Sequence, residues 1–193
     1  HGAGKFEEGV VVEEGGDSDF TPDIQIRHGD VIEGNDWSVE CVYTPGHTSN
    51  HMCFQLREER ALFSGDHVMG WSTSVISPPD GDMAAYMNSL NLLLDRDDSV
   101  YWPTHGPSIT RPKAHVSAFI THREERLTQI RNVLRAGESD IQTMVPGMYK
   151  GVDERLYPAA GRSVFAALQY LVEKQEVVCD GNPNMQSLFR LRD

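Results

Sequence analysis

Three short turn motifs, in fixed order, constrain this chain more than anything else in it: Thr44-Pro45-Gly46-His47-Thr48, Phe63-Ser64-Gly65-Asp66-His67 and Pro103-Thr104-His105-Gly106-Pro107. Each sets one potential metal ligand just beyond an apolar run of strand character and inside a Gly/Pro-rich turn. A strand end fixes the root of such a loop, and glycine lets the backbone close in on an ion. Imidazole and carboxylate suit a hydrolytic zinc, iron or manganese ion with an open coordination position. Thr48 and His67 flank these positions as residues for bracing the site or touching substrate, and His51 reads as structural.

The rest of the chain divides into a strand-rich first half and a helix-rich second half. Residues 1–22 are Gly-rich and acidic and read as irregular around Val10-Val11-Val12. Short strands are expected at Ile24-Gln25-Ile26 and Val31-Ile32. Trp37, Val39, Cys41 and Tyr43 fall at every second position, the period of a strand delivering the chain to His47. A hairpin is expected over His51 to Leu56 and Ala61 to Phe63, leading to Asp66. After an irregular stretch to Pro79, Asp80 is placed to cap a helix running to Leu94, with Met83, Tyr86, Met87, Leu90 and Leu94 on one stripe. Tyr86 and Trp71 read as core aromatics, with pocket lining as the alternative. Val100 to Trp102 then carries the backbone to His105.

Helical spacing dominates beyond Pro112. Helices are expected over Ala114 to Ala136, over Ile141 to Tyr149 with a break at Pro146-Gly147, and over Ala159 to Lys174. Strands Glu176 to Cys179 and Gln186 to Leu191 close a hairpin across Asp180-Gly181-Asn182-Pro183. Three helices and a hairpin spell a winged-helix-like unit, so two domains are expected, residues 1–111 and 112–193.

The ordered triplet resembles the later metal motifs of the metallo-β-lactamase fold superfamily. The stretches Gly65-Asp66-His67-Val68-Met69-Gly70-Trp71-Ser72 and His122-Arg123-Glu124-Glu125-Arg126 are similar to its β-lactamase-like protein 2 branch. The resemblance implies an α+β fold, the C-terminal portion of an αββα sandwich followed by a winged-helix-like domain. It also implies metal roles: His47 on one ion, His105 on a second, Asp66 bridging the two, with zinc expected up to two ions and iron or manganese as substitutes. The family's His-x-His-x-Asp-His motif, with the general base, is absent: no two of the eight histidines stand two positions apart. The chain opens on His1, so it is expected to be the C-terminal part of a longer enzyme, inactive alone, whose N-terminal half is its first partner.

The implied activity is hydrolysis of a small ester, thioester or lactone by a metal-bound hydroxide. The alternatives are a single-strand endoribonuclease of the same fold and a non-catalytic winged-helix nucleic-acid-binding protein. A net charge of −12 weighs against nucleic acid as a partner. Arg123, Arg126, Arg131 and Arg135 are broken by Glu124 and Glu125 and read as a solvated helix face. Cys41, Cys53 and Cys179 form no C-x-x-C pair, which leaves the cytoplasm as the expected compartment, and no apolar run approaches a membrane span. Uncovered sheet surface makes a homo-oligomer expected.

Overall fold

The computed structural model describes residues 24–192 and, ahead of them, the backbone of β1 (Lys5–Glu7) and β2 (Val10–Val12). These two strands correct the irregular reading of residues 1–22: they pair antiparallel, with Phe6 opposite Val11, as β-branched runs favour. The rest of that stretch lies outside the described residues.

A five-stranded sheet organises the first half. It comprises β3 (Val31–Glu33), β4 (Ser38–Tyr43), β5 (Met52–Leu56), β6 (Ala61–Gly65) and β7 (Val100–Pro103), in that spatial order. All neighbours run antiparallel except β6 and β7, which are parallel. A parallel pair needs a crossover, and α1 (Met83–Asp95) supplies it. Ile24 to Ile26 is not a strand. Gly29, at φ 85°, turns the chain where Asp30 accepts the Arg27 N–H at 2.6 Å, which leaves Ile24 without a neighbour strand and exposed.

The sheet has two unlike faces. Val42, Cys53, Leu62 and Tyr101 are buried toward α1, where they meet Tyr86, Leu90 and Leu93. On the other face, pairing aligns Cys41, Phe54, Phe63 and Trp102 in one row across four strands. Phe63 is 47% exposed and its neighbour Trp102 is 50% exposed.

The cap of α1 is Asp82, not Asp80: the Asp82 carboxylate accepts the Ala85 N–H at 2.7 Å. Asp80 instead accepts the Ser49 hydroxyl at 2.6 Å and so ties down the turn holding His47. The inward stripe of α1 ends on Leu93 rather than Leu94.

Beyond β7 come α2 (Pro112–Arg135), α3 (Ile141–Met148), a single 3-10 turn (Glu154–Leu156) and α4 (Tyr157–Glu173). The expected break in α3 does not occur. Asp140 caps its start by accepting the Thr143 N–H at 2.8 Å, and Ile141, Met144 and Val145 are buried, which offsets the backbone bond that Pro146 cannot make. β8 (Val177–Cys179) and β9 (Phe189–Leu191) pair antiparallel. Their connection is longer than expected because the Asn184 N–H donates to the Ser187 hydroxyl at 3.0 Å, folding 184–187 into a turn. One apolar core runs from Val42 and Tyr86 through Val116, Phe119 and Ile130 of α2 to Val164, Leu168 and Phe189. Among the described residues no helix is long and apolar enough to cross a membrane.

Candidate functional site

β4, β6 and β7 each deliver one of the three ligand candidates. His47 stands in the turn after β4, where Gly46 has φ +130° and lies so close to α1 that a Cβ there would sit 2.3 Å from the Tyr86 Cα. Only glycine fits that approach. The Gly46 carbonyl accepts the Asp82 N–H at 2.9 Å, and the Pro45 carbonyl accepts the Ser89 hydroxyl at 2.8 Å, so the turn is fastened to α1. His47 Nδ1–H donates to the Val75 carbonyl at 2.6 Å. In the neutral ring that bond puts the proton on Nδ1 and the lone pair on Nε2, the arrangement of a metal-ligating imidazole.

Asp66 and His105 come together. The β6–β7 pair ends with the Thr104 N–H on the Gly65 carbonyl at 3.1 Å, and just beyond it Asp66 Oδ1 lies 3.6 Å from His105 Nε2. Gly106, at φ +94°, lets this turn press against the backbone of Gly70, whose N–H donates to the His105 carbonyl at 2.9 Å. Trp71 is not a core aromatic: it is 74% exposed and stacks on the His105 ring with centroids 6.4 Å apart.

His67 is wholly buried, with neither ring nitrogen partnered among the described residues. It packs 4.5 Å from the Tyr86 ring, and burial drives its pKa well below the ordinary value. Thr48 donates its hydroxyl to the Asn50 side chain at 3.0 Å, and its carbonyl accepts the Gly46 N–H at 3.0 Å. His51 is more than a strand opener. Its ring lies under Gly65, where an added Cβ would meet Nε2 at 2.6 Å, and 6.4 Å from the His47 ring. Burial, then the nearby His47, lowers its pKa to about 4. Thr44, which the sequence did not single out, bonds His51 Nδ1 at 2.9 Å and Cys53 Sγ at 3.1 Å.

The segment Ser72 to Val75 forms a wall pinned from both sides. On one side is the His47 to Val75 bond; Ser74 Oγ also donates to the Asp66 and His67 carbonyls. On the other side, the Arg123 guanidinium of α2 donates to the Ser74 carbonyl and lies 5.1 Å over the Tyr86 ring, while the Tyr86 hydroxyl donates to the His67 carbonyl at 2.7 Å. The arginine cluster is therefore not one solvated face. Arg123 is 5% exposed, Arg126 donates to the Met148 carbonyl at 2.8 Å and Arg131 pairs with Glu176 at 2.8 Å. The signal for Arg123 lay in its spacing: Val116, Phe119, Arg123, Leu127, Ile130 and Leu134 form one buried stripe.

Asp66 and His105 form a two-donor pair, and His47 keeps Nε2 available. Yet among the described residues no three His, Cys, Asp or Glu side chains gather closely enough to hold a metal ion. A catalytic zinc site takes three protein ligands, so these residues do not complete one alone.

Residues 2–105 match the metallo-beta-lactamase superfamily, and residues 141–183 match the beta-lactamase associated winged helix domain. The chain is 31% identical over 186 residues to the lactamase-like protein adaB of Aspergillus niger, covering 88% of this chain and 57% of that protein. It is 37% identical over 111 residues to an atrochrysone carboxyl ACP thioesterase of Aspergillus chevalieri, covering 58% of this chain and 34% of that protein. A metallo-beta-lactamase family protein from Thermus thermophilus superposes with a TM-score of 0.74 at 22% identity, over 86% of this chain and 54% of that one. The chain thus spans about half the length of the curated relatives it matches.

Proposed function

Because the chain belongs to the metallo-beta-lactamase superfamily and carries its associated winged helix domain, we propose that it forms part of a metal-dependent hydrolase acting on a small thioester, ester or lactone. The observation that carries this reading is the meeting of Asp66 and His105 at the ends of adjacent parallel strands, 3.6 Å apart. The similarity to an ACP thioesterase puts thioesters first among the three classes.

Within that hydrolase, Asp66 and His105 are proposed as donors to zinc, or to iron or manganese, with His47 Nε2 as a third. The remaining donors and the general base are proposed to come from the part of the longer relatives that this chain does not span, so the chain alone is expected to be inactive. The contribution of this chain is positional. Gly46, Gly65 and Gly106 allow the tight turns, Val75 holds the His47 tautomer, and Trp71 walls one side of His105. Nucleic acid is not proposed as a partner: the net charge is −12, and Arg123, Arg126 and Arg131 are already engaged by the protein's own acceptors. The cytoplasm is proposed as the compartment.

The test is metal content by mass spectrometry together with thioester hydrolysis, on the 193-residue chain and on a form extended upstream, purified in parallel. About two transition-metal ions in the extended form, with far fewer in the shorter chain, and loss of both metal and activity in Asp66→Asn and His105→Ala, are the expected results. Metal-free protein in both preparations, or hydrolysis indifferent to Asp66→Asn, overturns the reading.

A further inference from the structure

Behind the Ser72 to Val75 wall lies a cavity of about 400 Å³, large enough for a small-molecule ligand. Its floor is apolar, formed by Met83 of α1, Ile130 of α2 and Val164 and Ala167 of α4. Its rim is apolar as well. Val75, Val152 and Leu156 line the cavity and are all among the large hydrophobic side chains left exposed on this protein. Exposed apolar groups gathered around a concave apolar floor mark a place where something apolar binds.

Two contacts tie the cavity to the wall. Arg123, which lines the cavity, donates to the Ser74 carbonyl and covers the Tyr86 ring. The rim residue Val75 also accepts the His47 Nδ1–H, so one backbone segment separates the cavity from the ligand candidates.

We propose that this cavity binds the acyl chain of the substrate, with the carbonyl end at the Val75 rim and the hydrocarbon tail running inward between α2 and α4. The volume suits a chain on the order of ten carbons. The proposal rests on the hydrolase reading for the role of the chain, but not for its binding. It also gives the winged helix region a part in selecting chain length, because α3, α4 and the turn before α4 supply Met148, Tyr149, Leu156 and Ala159 to the cavity.

Calorimetric titration of the 193-residue chain with decanoate, and with acetate as the short-chain control, tests the binding directly. Decanoate is expected to saturate one site and acetate to give no signal. Ala159→Trp fills the mouth and is expected to weaken decanoate at least tenfold. Leu156→Asp places a charge on an exposed rim position that no fold contact requires, and is expected to weaken it about fivefold. Phe63→Ser, on the exposed sheet face, is expected to leave binding unchanged. Decanoate binding that survives both cavity variants, or that disappears in Phe63→Ser, overturns the proposal, as does equal binding of acetate.

Turnover separates this proposal from the hydrolase reading. If an active, upstream-extended form hydrolyses acetyl and decanoyl thioesters with equal kcat/KM, the acyl site falls while the hydrolase reading stands. Saturable decanoate binding blocked by Ala159→Trp, with no thioester turnover by the metal-loaded, upstream-extended form, sustains the cavity and removes the hydrolase reading.

Discussion

Replacing Arg123 by methionine tests how firmly the wall beside the ligand candidates is held from α2. The guanidinium is 5% exposed, donates to the Ser74 carbonyl and lies 5.1 Å over the Tyr86 ring. Losing a charge-assisted hydrogen bond costs about 2 kcal/mol, and losing a desolvated cation–π contact about 1 to 2 kcal/mol. Methionine fills similar space and relieves the desolvation of a buried charge, which returns part of that loss. The net expectation is a destabilisation of about 2 kcal/mol, a fall in Tm of roughly 4 to 8 °C for a chain of this size. Circular dichroism melts measure the global effect. Hydrogen exchange measures the local one, with faster exchange at Gly70 and along 72–75 while the amides of β5 keep their protection. Arg123→Lys keeps the charge but not the planar fork and is expected to fall between the two. Arg123→Met that melts within about 1 °C of the parent, with unchanged exchange along 72–75, would show that the wall is held by other contacts.

Gly46→Ala puts a Cβ 2.3 Å from the Tyr86 backbone at a φ of +130°; a loss of at least about 3 kcal/mol is expected in urea unfolding, and parental stability would mean that the turn does not seat on α1. His51 has a folded-state pKa of about 4 against an ordinary 6.5. Because the unfolded chain binds the proton more readily, the stabilisation is full above pH 6.5 and is lost as pH falls toward 4, by up to about 3 kcal/mol. Unfolding midpoints at pH 7 and pH 4.5 are expected to differ less in His51→Gln than in the parent, and an identical pH slope would refute the assignment. The exposed pair Phe63 and Trp102 is expected to drive concentration-dependent self-association. Sedimentation of Phe63→Ser/Trp102→Ser should show a weaker dependence, and a parent that stays monomeric at all concentrations would count against it.

The parts that could be read in advance were those whose physics is local. Pro45-Gly46 and Gly65 announce tight turns by backbone preference alone, and each is followed at once by a donor side chain. Helical stripes gave α1, α2 and α4 to within a few residues, because burial of one face leaves its period in the chain. What was missed depends on partners distant in sequence. Asp80 and Asp82 are equivalent as caps until Ser49, thirty-one residues away, claims one of them. Arg123 looks like surface charge until the Ser74 carbonyl and the Tyr86 ring are brought beside it. His51 matters only because β6 lays Gly65 over its ring. In the site itself, residue types and turns were legible, whereas the 3.6 Å approach of Asp66 to His105 is set by strand pairing that no local pattern encodes.

That pairing bears on how such a protein can diversify. The heights of Asp66 and His105 are fixed by the β6–β7 ladder, where Leu62 faces Tyr101 and Gly65 faces Pro103, and a slip of one residue would shift a donor by about 3.3 Å. The cavity lining is drawn instead from the 72–75 wall, α2, α3 and α4. Substitutions at Ala159, Leu156 or Met148 can therefore accumulate without disturbing the donors. On the proposed reading, lineages descending from one ancestor could exchange substrates while keeping the same donors, because the cavity lining and the donor candidates are written on different elements of the chain.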